Sequence, residues 1–260
     1  MTSHYSPSSI LITGASSGIG AALARQYAGP GVTLFLSGRD RGRLSEIKAE
    51  CEAAGAKVET RKIDVTDRFE MGAWVVLSDQ ECPLDLIIAN AGISSDVSGK
   101  IAQTLVDEDI TRDIFATNMA GVLNTVLPVI PLMAERGKGQ IAIMASLAGL
   151  RGMPSAPAYS ASKAAVKAWG EGLRGQLAPR GLQVNVIFPG FVESAITDAN
   201  TFKMPFLMSA PKAARIIVNG LRKNKGRIAF PFPMYAAMWL LSILPPALAD
   251  IFLSRLPKKS

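Results

Sequence analysis

Three side chains that can take part in proton transfer occur close together in the second half of the chain. Tyr159 follows Ser146 by 13 positions, and Lys163 comes four residues later. Pro157 suits the first position of a helix and Ser155 can cap it, so we expect the tyrosine and the lysine one turn apart on one face. A cation beside a phenol favours phenolate, which predicts that Lys163 lowers the pKa of Tyr159 from about 10. The trio therefore predicts a tyrosine that exchanges protons with an alcohol or a carbonyl.

A glycine-rich turn lies near the start of the chain. It follows the apolar run Ile10–Ile12 and precedes a helical pattern that begins at Ala21. Its glycines allow a sharp turn and a close approach of a pyrophosphate to the amides of a helix N-terminus. The predicted phosphate-binding residues are Gly14, Ser16, Ser17, Gly18, Ile19 and Gly20. A dinucleotide site favours a catalytic interpretation of Tyr159 and Lys163 over the alternative, in which they lie on a solvated helix face.

Further motifs follow in order along the chain. They are Asp64-Val65 after a predicted third strand, Asn90-Ala91-Gly92 after a fourth, Asn118, and Pro189-Gly190 with Val192 and Ser194. Together with the Gly-x-x-x-Gly-x-Gly spacing and the Tyr-x-x-x-Lys run, this order resembles the short-chain dehydrogenase/reductase family over residues 9–230. Two positions depart from the family pattern, because Ala89 replaces an asparagine and Ser194 replaces a threonine. The second change keeps a hydroxyl. Taken singly, each motif could be an ordinary turn or helix residue.

The resemblance implies a role for each motif. A hydride would pass between the nicotinamide and a carbonyl carbon while Tyr159 supplies a proton to the carbonyl oxygen, and oxidation reverses these steps. Ser146 would hydrogen-bond the substrate oxygen. Lys163 would lower the pKa of the tyrosine and bind the nicotinamide ribose, and Asn118 would pass protons through ordered water. The other residues expected to bind the cofactor are Asp64, Val65, Asn90, Ala91, Gly92, Pro189, Gly190, Val192 and Ser194.

The end of the predicted second strand bears on the choice of cofactor. The run Leu36–Arg39 has no carboxylate where one would bind a free ribose 2′-hydroxyl. Arg39 stands there instead. A guanidinium can bind a phosphate through two parallel hydrogen bonds, and Gly38 leaves room for it. We therefore expect NADP(H) to be favoured over NAD(H). The alternative is that Arg39 makes only a surface ion pair with its neighbour Asp40.

Length and composition fit a single α/β domain. The chain has 260 residues, of which 48% are hydrophobic, enough to bury one sizeable core. Short apolar runs alternate with helical stretches, which predicts a doubly wound parallel sheet of about seven strands, the Rossmann fold. The runs are Ile10–Ile12, Thr33–Leu36, Lys57–Arg61, Leu84–Ala89, Gln140–Ala145, Gln183–Phe188 and Arg227–Phe230. Ligands bind at the carboxyl ends of such strands, so the motifs should meet in one cleft. We assign residues 1–230 to the catalytic domain and 231–260 to an apolar extension.

Residue counts argue against several other classes of site. The only histidine is His4, so a histidine-based triad has no base, and Cys51 and Cys82 are too few for a zinc site. We therefore predict no metal. The N-terminus shows no charged-then-apolar signal sequence, which favours a cytoplasmic protein. The net charge is +7, but the basic residues are scattered and no recognition motif accompanies them, which argues against nucleic-acid binding.

The C-terminal extension is unusually apolar. Between Ile228 and Leu256 only two residues are charged. Its proline-free core would reach only about 16 Å as a helix, against about 30 Å of membrane hydrocarbon. We expect two short helices, Met234–Leu244 and Ala247–Leu256, that either dip into one leaflet or cover the cleft or a partner subunit. A lipid surface that carries negative charge would suit the flanking cations, which are Arg222, Lys223, Lys225, Arg227, Lys258 and Lys259.

Two segments are expected to line the substrate side of the cleft. Ala195–Pro211 is predicted to be a mobile lid, and Leu150–Ala156 the opposite wall. The large apolar side chains of the lid suit an irregular lipophilic ligand, with core packing as the alternative. These side chains are Ile196, Phe202, Met204, Phe206, Leu207 and Met208. We therefore expect the substrate to be a lipophilic ketone, aldehyde or secondary alcohol, with reduction as the cellular direction.

The resemblance thus implies an NADP(H)-dependent oxidoreductase, and three alternatives are left open. One is a catalytically silent cofactor-binding scaffold or sensor, against which the presence of all four catalytic-pattern residues argues. Another is an NAD-preferring alcohol dehydrogenase. The third is an isomerase or epimerase that recycles its nucleotide. The resemblance also implies a homodimer or homotetramer that pairs through the helices carrying Asn118 and Tyr159.

Overall fold

A single parallel sheet forms the centre of the molecule. The computed structural model describes residues 6–94, 107–194, 197 and 204–253. Within them the strands are β1 (Ser9–Thr13), β2 (Thr33–Gly38), β3 (Lys57–Lys62), β4 (Leu86–Ala89), β5 (Gly139–Met144), β6 (Leu182–Pro189) and β7 (Arg227–Phe230). Their order in the sheet is β3-β2-β1-β4-β5-β6-β7, and every neighbouring pair is parallel. The predicted doubly wound sheet is confirmed, with strand ends within two residues of those expected.

Helices cover both faces of the sheet. The α-helices are α1 (Gly18–Tyr27), α2 (Arg41–Ala53), α3 (Arg68–Glu81), α4 (Glu108–Phe115), α5 (Gly121–Val126), α6 (Val129–Arg136), α7 (Pro157–Leu177), α8 (Ala210–Arg222), α9 (Phe232–Ile243) and α10 (Pro246–Leu253). One buried core lies between the sheet and α1, α2 and α8. A second core lies between the sheet and α3, α5, α6 and α7.

The composition of each strand follows its place in the sheet. β1, β4 and β5 are buried at every position, as expected for apolar strands that are covered by helices on both faces. β3 is an edge strand, and both of its terminal lysines, Lys57 and Lys62, are exposed. The crossover direction reverses between β1 and β4, which lie side by side. Their carboxyl ends therefore diverge into separate loops and leave a crevice for a ligand.

The helical stretch Glu108–Arg136 is the most apolar long helix among the described residues. By length and composition alone it could cross a membrane. Its apolar side chains have another explanation, because Val122, Val126 and Met133 are buried in the core against the sheet. A π-helical turn at Ala116–Ala120 interrupts the stretch and carries one of the predicted site residues. The stretch is therefore a core helix of the fold.

The C-terminal extension folds into two helices, as predicted from the sequence. α9 packs against the second core through Met234, Tyr235 and Met238. The extension also contacts the predicted cleft wall, because Arg151 Nη1 donates a hydrogen bond to the carbonyl of Leu244 at 3.0 Å. The second helix, α10, was expected to end at Leu256, and the structure describes it only as far as Leu253. The predicted cations of the terminus, Lys258 and Lys259, lie outside the described residues, as does His4.

Candidate active site

The predicted motifs line one cavity of about 600 Å³ at the carboxyl edge of the sheet. This volume lies within the range of small-molecule sites. The predicted residues that line it are Gly14, Ser16, Ser17, Gly18, Ile19, Arg39, Asp64, Val65, Asn90, Ala91, Gly92, Ser146, Tyr159, Lys163, Pro189, Gly190, Val192 and Ser194. Gly20 and Asn118 are not part of the lining. The lining residues that the sequence did not predict as ligand-binding are Gly38, Asp40, Arg41, Arg43, Ile63, Ile93, Thr117, Met144, Ala145 and Thr197.

The glycines after β1 are required by close backbone contacts. Gly14 has a φ of 65°, and a Cβ there would lie 2.9 Å from the Cα of Ala91. Gly20 does not line the cavity, but a Cβ on it would lie 2.2 Å from the carbonyl oxygen of Gly14. α1 begins directly after Ser17, whose side chain makes no capping hydrogen bond. The first amides of α1 are thus presented at the cavity, and the arrangement fits the pyrophosphate of a dinucleotide.

Thr13 joins the loops after β1 and β4 and was not predicted as a site residue. Its buried Oγ1 accepts hydrogen bonds from the backbone amides of Asn90 and Ala91, both at 3.1 Å. In the same direction, Asn90 Nδ2 donates to the carbonyls of Thr13 at 3.0 Å and Gly14 at 3.3 Å. These bonds fix the two sides of the crevice relative to each other. A threonine at a strand end has no sequence signal that would have identified this function.

Ser146, Tyr159 and Lys163 meet at the inner end of the cavity. Ser146 follows β5 and begins a short 3-10 turn, where its Oγ accepts a hydrogen bond from the amide of Ala148. Tyr159 and Lys163 lie one turn apart on α7, as the spacing predicts, and the lysine Nζ is 5.8 Å from the centre of the tyrosine ring. The buried Nζ donates to the carbonyl of Met144 at 2.9 Å.

Burial moves the pKa values of Tyr159 and Lys163 in opposite directions. It raises the pKa of the Tyr159 phenol above its ordinary 10, although a hydrogen bond with Ser146 lowers it. It lowers the pKa of Lys163 from 10.5 to about 8. The prediction that the pKa of Tyr159 falls below its ordinary value is therefore contradicted. Removal from water disfavours the charged form of each group, which raises the pKa of the phenol and lowers that of the amine.

The start of α7 differs in one detail from the prediction. Pro157 does occupy the first helical turn, but the cap residue is Ala156 and not Ser155, and no side chain caps the helix. A different serine fixes the adjoining loop. Ser160 is buried, and its Oγ accepts a hydrogen bond from the amide of Met153 at 3.1 Å. The predicted wall of the cleft is thereby tied to the helix that carries the tyrosine.

Asn118 lies behind the cavity lining and is fully buried. Its Oδ1 accepts from the amide of Ile93 at 2.8 Å, and its Nδ2 donates to the carbonyl of the same residue at 2.9 Å and to Ser162 Oγ at 3.1 Å. A Cβ placed on Gly92 would lie 3.1 Å from Asn118 Oδ1 and 3.2 Å from Lys163 Nζ. The asparagine therefore connects the loop after β4 with α7, and the π-helical turn that contains it brings it there.

The far end of the cavity is basic. Arg39 is exposed, lines the cavity, and makes no ion pair or side-chain hydrogen bond with the residues that the structure describes. Its neighbour Asp40 is engaged elsewhere, because its Oδ2 pairs with Arg43 Nε at 2.7 Å and its Oδ1 caps α2. Arg43 holds the pKa of the Asp40 carboxyl below its ordinary value through these hydrogen bonds. The alternative of an Arg39–Asp40 ion pair is thus contradicted.

Asp64 and Val65 close the cavity on the side of β3. Asp64 Oδ1 accepts hydrogen bonds from the amide and the hydroxyl of Thr66, at 2.9 and 2.8 Å. Val65 is buried against Gly121, where a Cβ would lie 2.5 Å from Val65 Cγ2. The two residues thus form a shaped, partly apolar wall that suits the flat face of a base.

The Pro-Gly segment forms the opposite wall, next to the C-terminal extension. The amide of Gly190 donates to the carbonyl of Phe230 at 2.7 Å, and a Cβ on Gly190 would lie 2.9 Å from the sulfur of Met234. Val192 pairs with Met208 in a short parallel bridge. The first helix of the extension therefore packs directly behind the cavity wall.

The predicted lid is described only in part. Residues 195, 196 and 198–203, which include Ile196 and Phe202, lie outside the described residues. Of the lid side chains that are described, Phe206 and Leu207 are exposed, whereas Met208 is buried in the core. Among the described residues, no group of three or more His, Cys, Asp or Glu side chains could hold a metal ion.

The fold and the cavity are those of a dinucleotide-binding α/β protein. The family model for short chain dehydrogenase matches residues 8–204. An uncharacterized oxidoreductase of Myxococcus xanthus (strain DK1622) is 37% identical over 247 residues, which cover 95% of this chain and 96% of the relative. The chain therefore belongs to the short-chain dehydrogenase/reductase family. It is an oxidoreductase that acts on CH–OH or C=O groups with NAD(P).

Solved structures show the same fold. A short-chain dehydrogenase/reductase of Burkholderia phymatum in complex with NAD is 25% identical, with a TM-score of 0.81 and 99% of both chains covered. A short-chain dehydrogenase of Sphingobium yanoikuyae in complex with NADPH is 24% identical, with a TM-score of 0.79 and 97% of both chains covered. Because one neighbour holds NAD and the other NADPH, the likeness leaves the choice between the two cofactors open.

Proposed function

We propose that the protein is an NADP(H)-dependent reductase of lipophilic ketones or aldehydes. The observation that carries this proposal is the placement of Ser146, Tyr159 and Lys163 in one cavity with the glycine turn after β1. The domain that performs the reaction would comprise residues 1–230. When bound, the cofactor supplies or accepts the hydride.

The chain's own residues would handle the proton. Burial keeps the Tyr159 phenol protonated at neutral pH, which is the form that can donate a proton to a carbonyl oxygen. Ser146, which hydrogen-bonds the phenol, would donate a hydrogen bond to the same oxygen. Lys163, with a pKa of about 8, is mostly cationic at neutral pH and would bind a ribose hydroxyl and stabilise negative charge on the tyrosine. The oxidation direction needs the opposite protonation state.

Asn118 would hold the site together and pass protons to it. Its side-chain amide is already engaged with Ile93 and Ser162, so the proposed relay through ordered water would depend on other groups of the π-helical turn. The remaining predicted residues would hold the dinucleotide. Its pyrophosphate would lie on the first amides of α1, and its adenine against Asp64 and Val65.

Selection of NADP(H) is supported by Arg39. This guanidinium lines the cavity without a carboxylate partner among the described residues, and the nearest carboxylate, Asp40, is bound by Arg43. Arg43 and Arg41 also line this end, so a 2′-phosphate would meet a positive potential. Asp40, the carboxylate next to Arg39, is already paired with Arg43, which disfavours its use as the acceptor for a free ribose 2′-hydroxyl.

A lipophilic substrate is supported by the described part of the lid. Phe206 and Leu207 are 58% and 44% exposed, so these two neighbouring apolar side chains of the lid are accessible to a lipophilic ligand. Met153 and Leu150 belong to the wall that is tied to α7. A homo-oligomer and residence in the cytoplasm remain proposals that rest on the family resemblance.

The experiment is a paired titration and turnover assay. NADPH and NADH are compared by fluorescence for binding, and by absorbance for turnover with a panel of lipophilic and small polar carbonyls. In Arg39→Ala we expect the affinity for NADPH to fall ten- to a hundredfold, the contribution of a charge-assisted hydrogen bond, with NADH nearly unchanged. Arg68→Ala, which removes a cation that does not line the cavity, is the matched control.

Each alternative predicts a different outcome of this assay. Equal binding of both cofactors, with no effect of Arg39→Ala, would favour an NAD-preferring alcohol dehydrogenase. Turnover of small polar carbonyls only would refute the lipophilic substrate. Binding without turnover would favour a silent scaffold, and conversion of substrate without net cofactor consumption would favour an isomerase or epimerase.

A further inference from the structure

The two C-terminal helices present a large apolar surface to solvent. We define their outer face by six side chains that are 49% to 74% exposed, which are Phe232, Trp239, Leu240, Ile243, Leu248 and Phe252. Phe232, Trp239 and Ile243 are spaced by seven and four residues and therefore lie on the same side of α9. Single exposed apolar residues are common, but six of them on two consecutive helices favour an interaction surface.

α9 differs from an ordinary surface helix because it has no polar side. Its inner face contacts the core through Met234, Tyr235 and Met238, so the opposite side should be charged if it faced only water. The helix contains no charged residue, and none of its residues is fully buried. Both sides of α9 are therefore apolar, yet the fold covers only one of them.

The lengths of the helices exclude a transmembrane arrangement. Within the described part of the chain α9 has 12 residues and α10 has 8, so the longer one reaches about 18 Å, against about 30 Å of hydrocarbon. The helices are separated at Pro245, and α9 is fixed to the body of the protein along its inner face. Short helices held in this way can lie flat in the boundary between headgroups and acyl chains, with the apolar side inserted.

The positive charge of the protein indicates what binds to the outer face. Arg151 binds the carbonyl of Leu244 just after α9, and Arg227 interacts with Tyr235 in its first turn, although it also pairs with Glu171. Three further exposed cations, Arg222, Lys223 and Lys225, lie before the amino end of β7, whose carboxyl end leads into α9. The net charge of +7 attracts the protein to a negatively charged lipid surface.

We propose that the outer face of α9 and α10 docks the protein onto an anionic lipid surface. The apolar side chains enter the interface, and the cations next to the helices contact the headgroups. Trp239 has the ring type that is enriched at this depth of a bilayer. The inference does not depend on the cofactor or on the substrate proposed above, because none of these side chains lines the active-site cavity.

The test is co-sedimentation of the full-length chain with lipid vesicles. Vesicles of phosphatidylcholine mixed with phosphatidylglycerol are compared with vesicles of phosphatidylcholine alone. We expect binding to the mixed vesicles that weakens at high salt. The double variant Trp239→Gln/Ile243→Gln should reduce this binding at least tenfold, and Lys223→Gln/Lys225→Gln should reduce it by about fivefold for each cation removed. The matched control is Phe69→Gln, since Phe69 on α3 is 85% exposed and should leave binding unchanged.

Other outcomes overturn the proposal. Absence of binding to the mixed vesicles would overturn it, as would equal loss of binding in Phe69→Gln and in the double variant. Light scattering on the same samples tests whether a second copy of the chain covers the outer face instead of lipid. A wild-type dimer that the double variant converts to monomers, without binding to vesicles, would show that the outer face is covered by a second copy of the chain.

Discussion

The active-site cavity and the outer face of the C-terminal helices differ in whether their side chains find partners within the chain. In and behind the cavity lining, polar groups such as Thr13, Asn90 and Asn118 are buried or partly buried, and each makes at least two hydrogen bonds to the neighbouring loop. On the outer face, apolar groups such as Trp239 and Ile243 are half-exposed without comparable packing. The polar groups around the cavity therefore find their partners within one chain, whereas the outer face is the surface that we propose docks onto lipid.

The largest expected effect separates catalysis from structure within the cavity. In Tyr159→Phe the ring remains but the proton donor is lost, so we expect kcat to fall about 10³-fold, the usual contribution of general acid catalysis. Cofactor affinity should change little. Tyr27→Phe is the matched control, because the buried Tyr27 hydroxyl has no hydrogen-bond partner among the described residues. Steady-state kinetics of both variants check this, and unchanged turnover in Tyr159→Phe would refute the assigned mechanism.

The second prediction concerns the close backbone contact after β1. In Gly20→Ala the new Cβ would lie 2.2 Å from the Gly14 carbonyl oxygen, so the turn or the helix has to move. We expect a loss of about 3 kcal/mol in the free energy of unfolding and at least tenfold weaker cofactor binding. Chemical denaturation and fluorescence titration measure the two effects. In Gly29→Ala the Cβ meets nothing within 4 Å, so this variant should match the wild type.

The third prediction uses the buried lysine. The folded-state pKa of Lys163, about 8, lies below its ordinary 10.5, so between these values the unfolded chain binds more protons than the native protein. Stability then rises with pH through this window. The free energy of unfolding of the wild type should therefore gain about 2 kcal/mol over that of Lys163→Met between pH 8 and pH 10. The raised pKa of Tyr159 acts in the opposite sense only above about pH 10, where the unfolded chain loses its proton.

Lys167→Met provides the control for this measurement. Lys167 lies one turn after Lys163 on α7 and pairs with Glu171 near the surface at 3.2 Å. Urea unfolding at several pH values measures the free energy of unfolding. Its plot against pH should run parallel for this variant and the wild type. If the difference in the free energy of unfolding between the wild type and Lys163→Met stays constant with pH, Lys163 keeps an ordinary pKa in the folded protein.

Much of the cavity could be predicted from the sequence because its residues follow strands in a fixed order. The strands are recognisable as apolar runs, and parallel strands bring their carboxyl ends together, which places Gly14, Asn90 and Ser146 in one cavity. Contacts made by backbone groups could not be predicted in this way. The carbonyl of Met144 that binds Lys163, and the double role of Thr13, depend on the fold and leave no pattern in the chain.

Two details were wrong for physical reasons. Ser155 was expected to cap α7, but capping is one of several ways to satisfy a helix end, and the structure begins the helix after Ala156. The pKa of Tyr159 was expected to fall because spacing alone reports a neighbouring cation. Spacing carries no information about burial, which raises the pKa of the phenol. The extension was predicted as two helices, and which of its sides is covered emerged only from the packing of Met234 and Met238.

The smallest expected effect is the loss of stability when a polar side chain replaces an apolar one on the outer face. Ile243 is 59% exposed on α9, whereas Ile63 is 2% exposed and lines the cavity. The substitution Ile63→Gln buries an amide and should cost about 3 kcal/mol in the free energy of unfolding. The same change in Ile243→Gln should cost about 0.5 kcal/mol or less, because water already reaches the side chain. Chemical denaturation at two protein concentrations measures both values. A large cost in Ile243→Gln that grows with protein concentration would mean that a second copy covers this face, and the contrast between the two regions would then disappear.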